Sequence, residues 1–433
     1  MRYRDLRWAI ALAVFSALAL GGCQSAEQAL VARIDAALAK SGRYLVERQS
    51  PDGAWRSDVY GLMKDGPSLT PYVMSALYFM PQAGPKSADS YRKGVDYLAG
   101  FVGPDGKLKV AEKELLFPTY TAAMASRMVR LMDPTPRNLA AQQAYLAYLR
   151  DRQLDEHLRW SKDDPPYGGW GFAQALPRKP RPREGRAPTI ESNLTSTLFA
   201  LAAMKSAKVP ANDPAWARAL TFVRRCQNFP DENAPPPAIP VPGVGMPPIA
   251  APTYAFDDGG FFFMPDDPGM NKAGIVGREL NGRARYHSYG SMTADGLRAL
   301  LLCGLPAKHP RVQAAQHWLE QNFDARQNPG VFERDREVLR DATYYYWAWS
   351  AAHAFATLHA REIQTRRGRV DWAVALAEEL LYRQADDGTW ANRYTDAKED
   401  DPLIATPWAA ATLAICRAAL LNQPFGQATT LSR

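Results

Sequence analysis

The sequence predicts an all-α protein whose helices pair into six hairpins and close as a double ring, an (α/α)6 toroid. Three observations carry this. The phrase Arg48-Gln49-Ser50-Pro51-Asp52-Gly53-Ala54-Trp55 returns near the other end as Arg383-Gln384-Ala385-Asp386-Asp387-Gly388-Thr389-Trp390. Degenerate copies recur between the two, which marks a repeat architecture. Helix-like runs alternate between charged-on-one-face and apolar nearly all round, and a helix apolar on every side must be enclosed by others. Alike terminal units suit a closed ring, since an open array needs distinct polar caps.

The N-terminal segment stands apart. Arg2, Arg4 and Arg7 precede a short apolar run from Trp8 to Leu20, and Leu20-Gly21-Gly22-Cys23 resembles a bacterial lipobox. Residues 1–22 are therefore expected to be a lipoprotein signal peptide. Cys23 becomes the lipidated anchor, facing the periplasm from the outer membrane because Gln24 differs from the Asp that retains lipoproteins at the inner membrane. Residues 23–433 then form one domain, expected to be monomeric. Cys226, Cys303 and Cys416 are far apart and show no CxxC spacing, so inert thiols are expected rather than a disulfide framework. The net charge of +7 is modest, and no aromatic-interleaved basic stripe points to nucleic acid.

Each unit reads as an outer helix, a turn with Gly and an aromatic residue, then an inner helix. The first runs from Ala36 through Trp55 to Ser68–Met74, and the second from Val95–Leu98 through Gly106 to Tyr120–Met124. The third spans Ala144–Gln153, Gly168-Gly169-Trp170-Gly171-Phe172 and Asn193–Thr197. The fourth spans Ala219–Gln227, Asp257–Phe261 and Ser291–Ala294. The fifth spans Ala314–Asn322, Gly330 and Tyr344–Ser350; the sixth Val374–Gln384, Trp390 and Ala405–Ala409. Thr, Ser or Pro before the inner runs suits helix caps and first turns. Two insertions, 177–188 and 234–252, are too rich in proline for regular helix and are expected as surface loops at one rim.

The QxxDGxW phrase with its GGWGF and GGF variants resembles the repeat of squalene–hopene cyclases and protein prenyltransferase β-subunits, over about residues 30 to 422. The resemblance implies the toroid fold. It also implies a structural role for Gln49, Trp55, Gln384 and Trp390, with the Gln ending the outer helix, stacking on the Trp and tying neighbouring hairpins. The chemistry of that superfamily does not carry over. The cyclase acid motif DxDD is missing, because Ser161, Ala255, Met264, Gln384 and Lys398 stand two residues before the Asp pairs. No DDxxD occurs. The prenyltransferase zinc phrase DxC is replaced by Asp341-Ala342-Thr343, and the position expected for His falls at Ala405-Thr406, so no metal or other cofactor is expected.

What remains is a polar and aromatic cluster in the fourth unit. Asp258, Arg285, His287, Tyr289 and Ser291 are expected near the cavity mouth, with Asn193, Asp341, Tyr345 and Thr406 converging from other inner-helix starts. Phe262, Tyr345 and Trp347 are candidate cavity walls, where aromatic faces favour positive charge. In the functional reading, His287 or Tyr289 acts as general acid or base while arginines hold an anion. In the structural alternative Asp258 caps a helix, Arg285 pairs with it, and His287 sits in a loop. Three functions stay open. The first is a ligand-binding toroid taking an isoprenoid, peptide or glycan. The second is a polysaccharide lyase or hydrolase using the His/Tyr/Arg cluster, and the third is an atypical terpenoid cyclase.

Overall fold

The computed structural model describes residues 26–80, 84–109, 115–131, 133–181, 190–230, 256–265, 267–278 and 284–423. The expected signal peptide, Cys23, and the 234–252 insertion lie outside the described residues, as does 182–188 of the other insertion. Among the described residues six outer helices alternate with six inner ones. The outer set is α1 (26–47), α3 (Gly84–Ala99), α5 (Pro136–Arg150), α7 (Pro214–Arg225), α9 (Pro310–Asn322) and α12 (Trp372–Arg383). The inner set is α2 (Thr70–Phe79), α4 (Pro118–Leu131), α6 (Leu194–Ser206), α8 (Gly290–Leu302), α11 (Tyr344–Thr357) and α13 (Pro402–Leu420). A short helix, α10 (Val338–Ala342), precedes α11. Three two-stranded antiparallel ribbons decorate the connections: β1 (Trp170–Gly171) with β2 (Ser192–Asn193), β3 (Ile275–Arg278) with β4 (Ala284–Tyr286), and β5 (Glu362–Thr365) with β6 (Gly368–Asp371).

The inner helices close a circuit. α2 packs on α4, α4 on α6, α6 on α8, α8 on α11, α11 on α13, and α13 returns to α2. Their composition follows from this enclosure: every residue of α6 from Leu194 to Leu201 is buried. α13 is long and apolar enough to span a bilayer, yet most of it is covered by its neighbours in the ring. Outer helices are one-sided, as in α7, which buries Ala215, Trp216, Ala219, Phe222 and Val223 and leaves Ala217 exposed. Side-chain caps start several helices. Thr135, Asn193, Asp213, Asp371 and Asp401 each accept an amide from the first turn.

One clasp recurs around the ring and explains the repeated phrase. The Gln at the end of an outer helix donates through Nε2 to two carbonyls, one on the turn glycine of its own unit and one on the next outer helix. Gln49 reaches Gly53 O (2.9 Å) and Ser90 O (2.8 Å). Gln153 reaches Gly168 O and Ala215 O, and Gln227 reaches Gly259 O and Arg311 O. Gln384 reaches Gly388 O (3.1 Å) and Ala37 O (3.0 Å) on α1, so the last unit grips the first. The Trp locks its own hairpin. Its Nε1 donates to the outer helix (Trp55 to Leu45 O, Trp170 to Leu149 O, Trp390 to Leu380 O). Its backbone N–H donates to a threonine of the inner helix, Thr70, Thr197 or Thr406.

Glycine is required in the phrase. Gly53, Gly168, Gly259 and Gly388 all adopt positive φ, between 83° and 93°. A Cβ on Gly168 would lie 1.9 Å from Arg218 O, and on Gly388 2.5 Å from Lys40 Cβ. The second and fifth units lack the Gln clasp and use other ties. Tyr145 donates to Leu98 O (2.9 Å), and Arg383 donates to Arg326 O (2.7 Å). Ring closure is reinforced by Arg33 on Glu378 and Arg417 on Asp35. Among the described residues Cys226, Cys303 and Cys416 form no disulfide, and burial pushes the Cys303 pKa up to about 12.

Gln384→Ala removes the side-chain donor to Gly388 O and the bond that ties Ala37 O of α1, which keeps Ser41 Oγ, to the last unit. Chemical denaturation should read a loss of roughly 1–3 kcal/mol. Arg33→Ala, which removes a half-exposed ion pair at the same seam, should cost under about 1 kcal/mol.

Candidate functional site

The ring encloses a cavity of about 510 Å3, a volume typical of small-molecule sites. Each inner helix contributes a wall residue: Tyr72, Tyr120, Phe199, Met292, Tyr346 and Trp408. These side chains hold one another edge-on. Tyr72 lies 5.1 Å from Trp408, Tyr120 5.2 Å from Phe199, and Tyr346 5.4 Å from Trp408, centroid to centroid. Trp349 stacks on Phe199 at 5.7 Å and so supports the aromatic layer. Phe172, Phe263, Leu403 and Ile404 extend the apolar surface.

The charged lining groups come from connecting loops that precede inner helices: Lys272, Asp396, Lys398 and Glu399. Glu399 is 2% exposed and accepts the Tyr345 and Tyr346 amides, at 2.9 and 2.8 Å, in the first turn of α11. A carboxylate there faces the positive end of the helix. Burial nevertheless dominates and raises the Glu399 pKa to about 7, opposed by the two amides, Asn392 and the Lys272 charge. Burial likewise lowers the half-buried Lys272, opposed chiefly by Glu399.

A second acid stands behind the wall. Asp295 is fully buried and accepts from Tyr346 Oη (2.6 Å), Thr195 Oγ1 (3.2 Å) and Ser350 Oγ. Burial raises its pKa, opposed first by Arg298, and the Tyr346 hydroxyl is pushed well up by the same burial. Among the described residues no group of His, Cys, Asp and Glu has metal-binding geometry.

The expected residues divide. Tyr289 and Ser291 line the cavity. Tyr289 is fully buried at the start of α8; Ser291 Oγ accepts from Asn328 (3.1 Å). Asp258, Arg285 and His287 do not form part of the lining. Asp258 accepts from Ser288 Oγ, Gly260 N–H and Trp318 Nε1, a turn-fixing role. Arg285 pairs with the Asp257 carboxylate rather than with Asp258, and also reaches Asn228 Oδ1 (3.1 Å). His287 is half-buried and donates its amide to Gly274 O; burial holds its imidazole below the usual range, opposed by Glu333 and Asp258.

The expected aromatic walls are displaced by one residue. In α11 it is Tyr346 that faces the cavity, whereas Tyr345 and Trp347 turn outward to bond Ala391 O and Asp324 O. Phe263 lines the cavity, and Phe262 packs on Tyr286 at 5.3 Å. Asn193 caps α6, Thr406 holds the Trp390 amide, and Asp341 gives its carbonyl to Asn392; none of the three lines the cavity. Glu399, Lys272 and Asp295 were not anticipated. The run Asp396-Ala397-Lys398-Glu399 reads in sequence like a solvated loop, and nothing local signals that Glu399 is enclosed.

No protein-family model matches the sequence, and no curated protein matches it. Solved structures do match in shape. A variant of the type II terpene cyclase MstE from Scytonema, in complex with geranylgeranyl dihydroxybenzoate, superposes with a TM-score of 0.54 at 12% identity, over 90% of this chain and 99% of that one. The same enzyme with merosterolic acid A gives 0.51. Cellobiose 2-epimerase from Spirochaeta thermophila gives 0.53 at 10% identity, over 90% and 98%. At these identities the likeness is one of fold, and the chain is an α/α toroid of terpenoid cyclase-like architecture.

Glu399 yields a pH signature. Its pKa is raised from 4.5 unfolded to about 7 folded, so the native state keeps its proton where the unfolded chain has lost it. Stability from this group is complete below pH 4.5 and falls as pH rises through 7, by up to about 3 kcal/mol. Denaturation of Glu399→Gln across pH 4 to 8 should show that decline removed.

Proposed function

We propose that the protein is an exported, lipid-anchored toroid that takes an isoprenoid-like ligand into its central cavity. The observation that carries this reading is the separation of chemistry along the cavity. Aromatic and aliphatic side chains from all six inner helices make the walls, and the charged groups gather on the loops before those helices. An elongated apolar chain gains by leaving water for such walls, about 25 cal/mol per Å2 of apolar surface buried. A polar head finds Lys272, Lys398, Asp396 and Glu399. The aromatic faces would also favour a cationic or polarised unsaturated chain.

Export and anchoring rest on the sequence: the basic n-region, the apolar run and Leu20-Gly21-Gly22-Cys23. A lyase or hydrolase using the His287, Tyr289 and Arg285 cluster has Tyr289 in the cavity lining, but Arg285 is held by Asp257 and Asn228, and His287 and Arg285 are not among the lining residues, which favours binding over it. An atypical cyclase keeps one supporting observation. Glu399, a cavity-lining carboxyl whose pKa is raised to about 7, is protonated in a large share of molecules near neutral pH in a site lined by aromatic rings. Binding is the reading favoured here, since among the described residues the other acid lining the cavity is Asp396 at the loop.

The test is to incubate the purified full chain with a panel of envelope lipids and glycans and to record bound or altered species by mass spectrometry. Prenyl lipids should be retained and glycans should not. Met292→Trp, which fills the cavity, should weaken retention at least about tenfold while the thermal midpoint shows the chain still folded; Ile404→Trp serves if it does not. His287→Ala should bind as the parent does. Glycan turnover abolished by His287→Ala or Tyr289→Phe would overturn the proposal.

A further inference from the structure

The loop between Asp267 and Gly274 delivers Lys272 to the hollow from a fixed backbone. Asn271, 1% exposed, accepts the Phe263 and Met264 amides through Oδ1, at 2.9 and 3.2 Å. Through Nδ2 it donates to Met264 O and Asp267 O, both at 2.8 Å. Its own carbonyl accepts from Arg336 Nη1 at 2.7 Å. On the other side Ala273 is fully buried, and its carbonyl accepts the Glu333 amide at 3.0 Å. Both neighbours of Lys272 are therefore pinned, and the side chain between them lines the cavity.

An ammonium withdrawn from water is ordinarily paired. Among the described residues the Lys272 ammonium makes no hydrogen bond and no ion pair. The acids that share its cavity are engaged elsewhere or lie out of reach. Glu399 keeps its two oxygens on the Tyr345 and Tyr346 amides, and Asp396 is exposed on its loop. The second lining ammonium, Lys398, stands over the Tyr60 ring, 5.4 Å from its centre. Burial pulls the Lys272 pKa down, opposed first by Glu399, which is the mark of a cation short of counter-charge.

We infer that Lys272 sets the specificity of the hollow, and that the ligand ends in a carboxylate. This rests on the reading that the hollow takes a prenyl-like chain. A carboxylate accepts from the ammonium in charge-assisted bonds, roughly twice as strong as neutral ones. Apolar walls screen that pair poorly, so it counts for more than it would at the surface. The size of the charge selects the class of anion. A carboxylate brings one negative charge, which one free ammonium balances. A phosphate monoester brings about 1.5 to 2, and the excess would face the Asp396 and Glu399 carboxyls. An alcohol head would accept a bond from Lys272 and leave its charge unbalanced.

The test compares farnesoic acid with farnesol, which share one chain and differ in the head, by calorimetric Kd on the full chain near neutral pH. The parent should bind the acid at least about tenfold more tightly. Lys272→Met keeps the stem and removes the charge. It should lose that preference while binding farnesol as the parent does, an outcome that general damage to the hollow would not give. Lys272→Arg, which keeps the charge, should retain the preference. If the thermal midpoint shows Lys272→Met unfolded, Lys272→Gln is read in its place. A parent that does not prefer the acid, or a preference unchanged without the lysine, would overturn the inference and leave prenyl binding in the hollow standing. Tighter binding of farnesyl phosphate than of farnesoic acid would overturn the carboxylate assignment. A parent that binds none of the three would overturn the proposed function, and this inference with it.

Discussion

A ring of hairpins has no ends, so the seam between its last unit and its first must be as firm as every other seam. Here the seam is made by Gln384, whose amide spans Gly388 O in its own turn and Ala37 O on α1. The same side chain does the same work at Gln49, Gln153 and Gln227. Each clasp adds two hydrogen bonds from one side chain, each worth about 0.5–1.5 kcal/mol, and fixes the spacing of adjacent outer helices. The turn glycine at positive φ allows the backbones to approach this closely. The inner helices then have no exposed side, and their near-continuous apolar sequence follows.

Closure also creates the site. Six inner helices held at this spacing leave a central space that their own aromatic side chains narrow without filling. Because the helices run in one sense, their starts gather on one side, where loops deliver Lys272, Asp396, Lys398 and Glu399. The far side collects residues from later turns. A single topological fact therefore gives the barrel two different ends, with the charged loops gathered around an apolar hollow at one of them.

The fold was legible in the sequence because the Gln and Gly of the phrase make the same contacts at Gln49, Gln153, Gln227 and Gln384, and the Trp does so at Trp55, Trp170 and Trp390. Gln, Gly and Trp are each chosen for one bond or one backbone angle, so their spacing survives divergence. The site was less legible because it depends on rotation of a helix by a fraction of a turn. The run Tyr344–Trp349 is aromatic at nearly every position, and composition cannot say that Tyr346 faces the hollow while Tyr345 and Trp347 face outward. In the extended Phe261–Phe263 segment the same uncertainty amounts to one residue, and it selects Phe263 over Phe262. Arg285 and His287 drew notice for their chemistry, but Asp257 and Asn228 hold Arg285 in place. Glu399 sits in a charged run whose burial depends on α11, distant in sequence.

The claim that the enclosed hollow is where this protein meets its ligand is tested most directly by a crystal structure of the chain with a bound prenyl amphiphile. The account places the hydrocarbon chain against Tyr120, Phe199 and Trp408, with the head beside Lys272 and Glu399. Ligand density at Arg285 and His287, with the hollow left unoccupied, would contradict it.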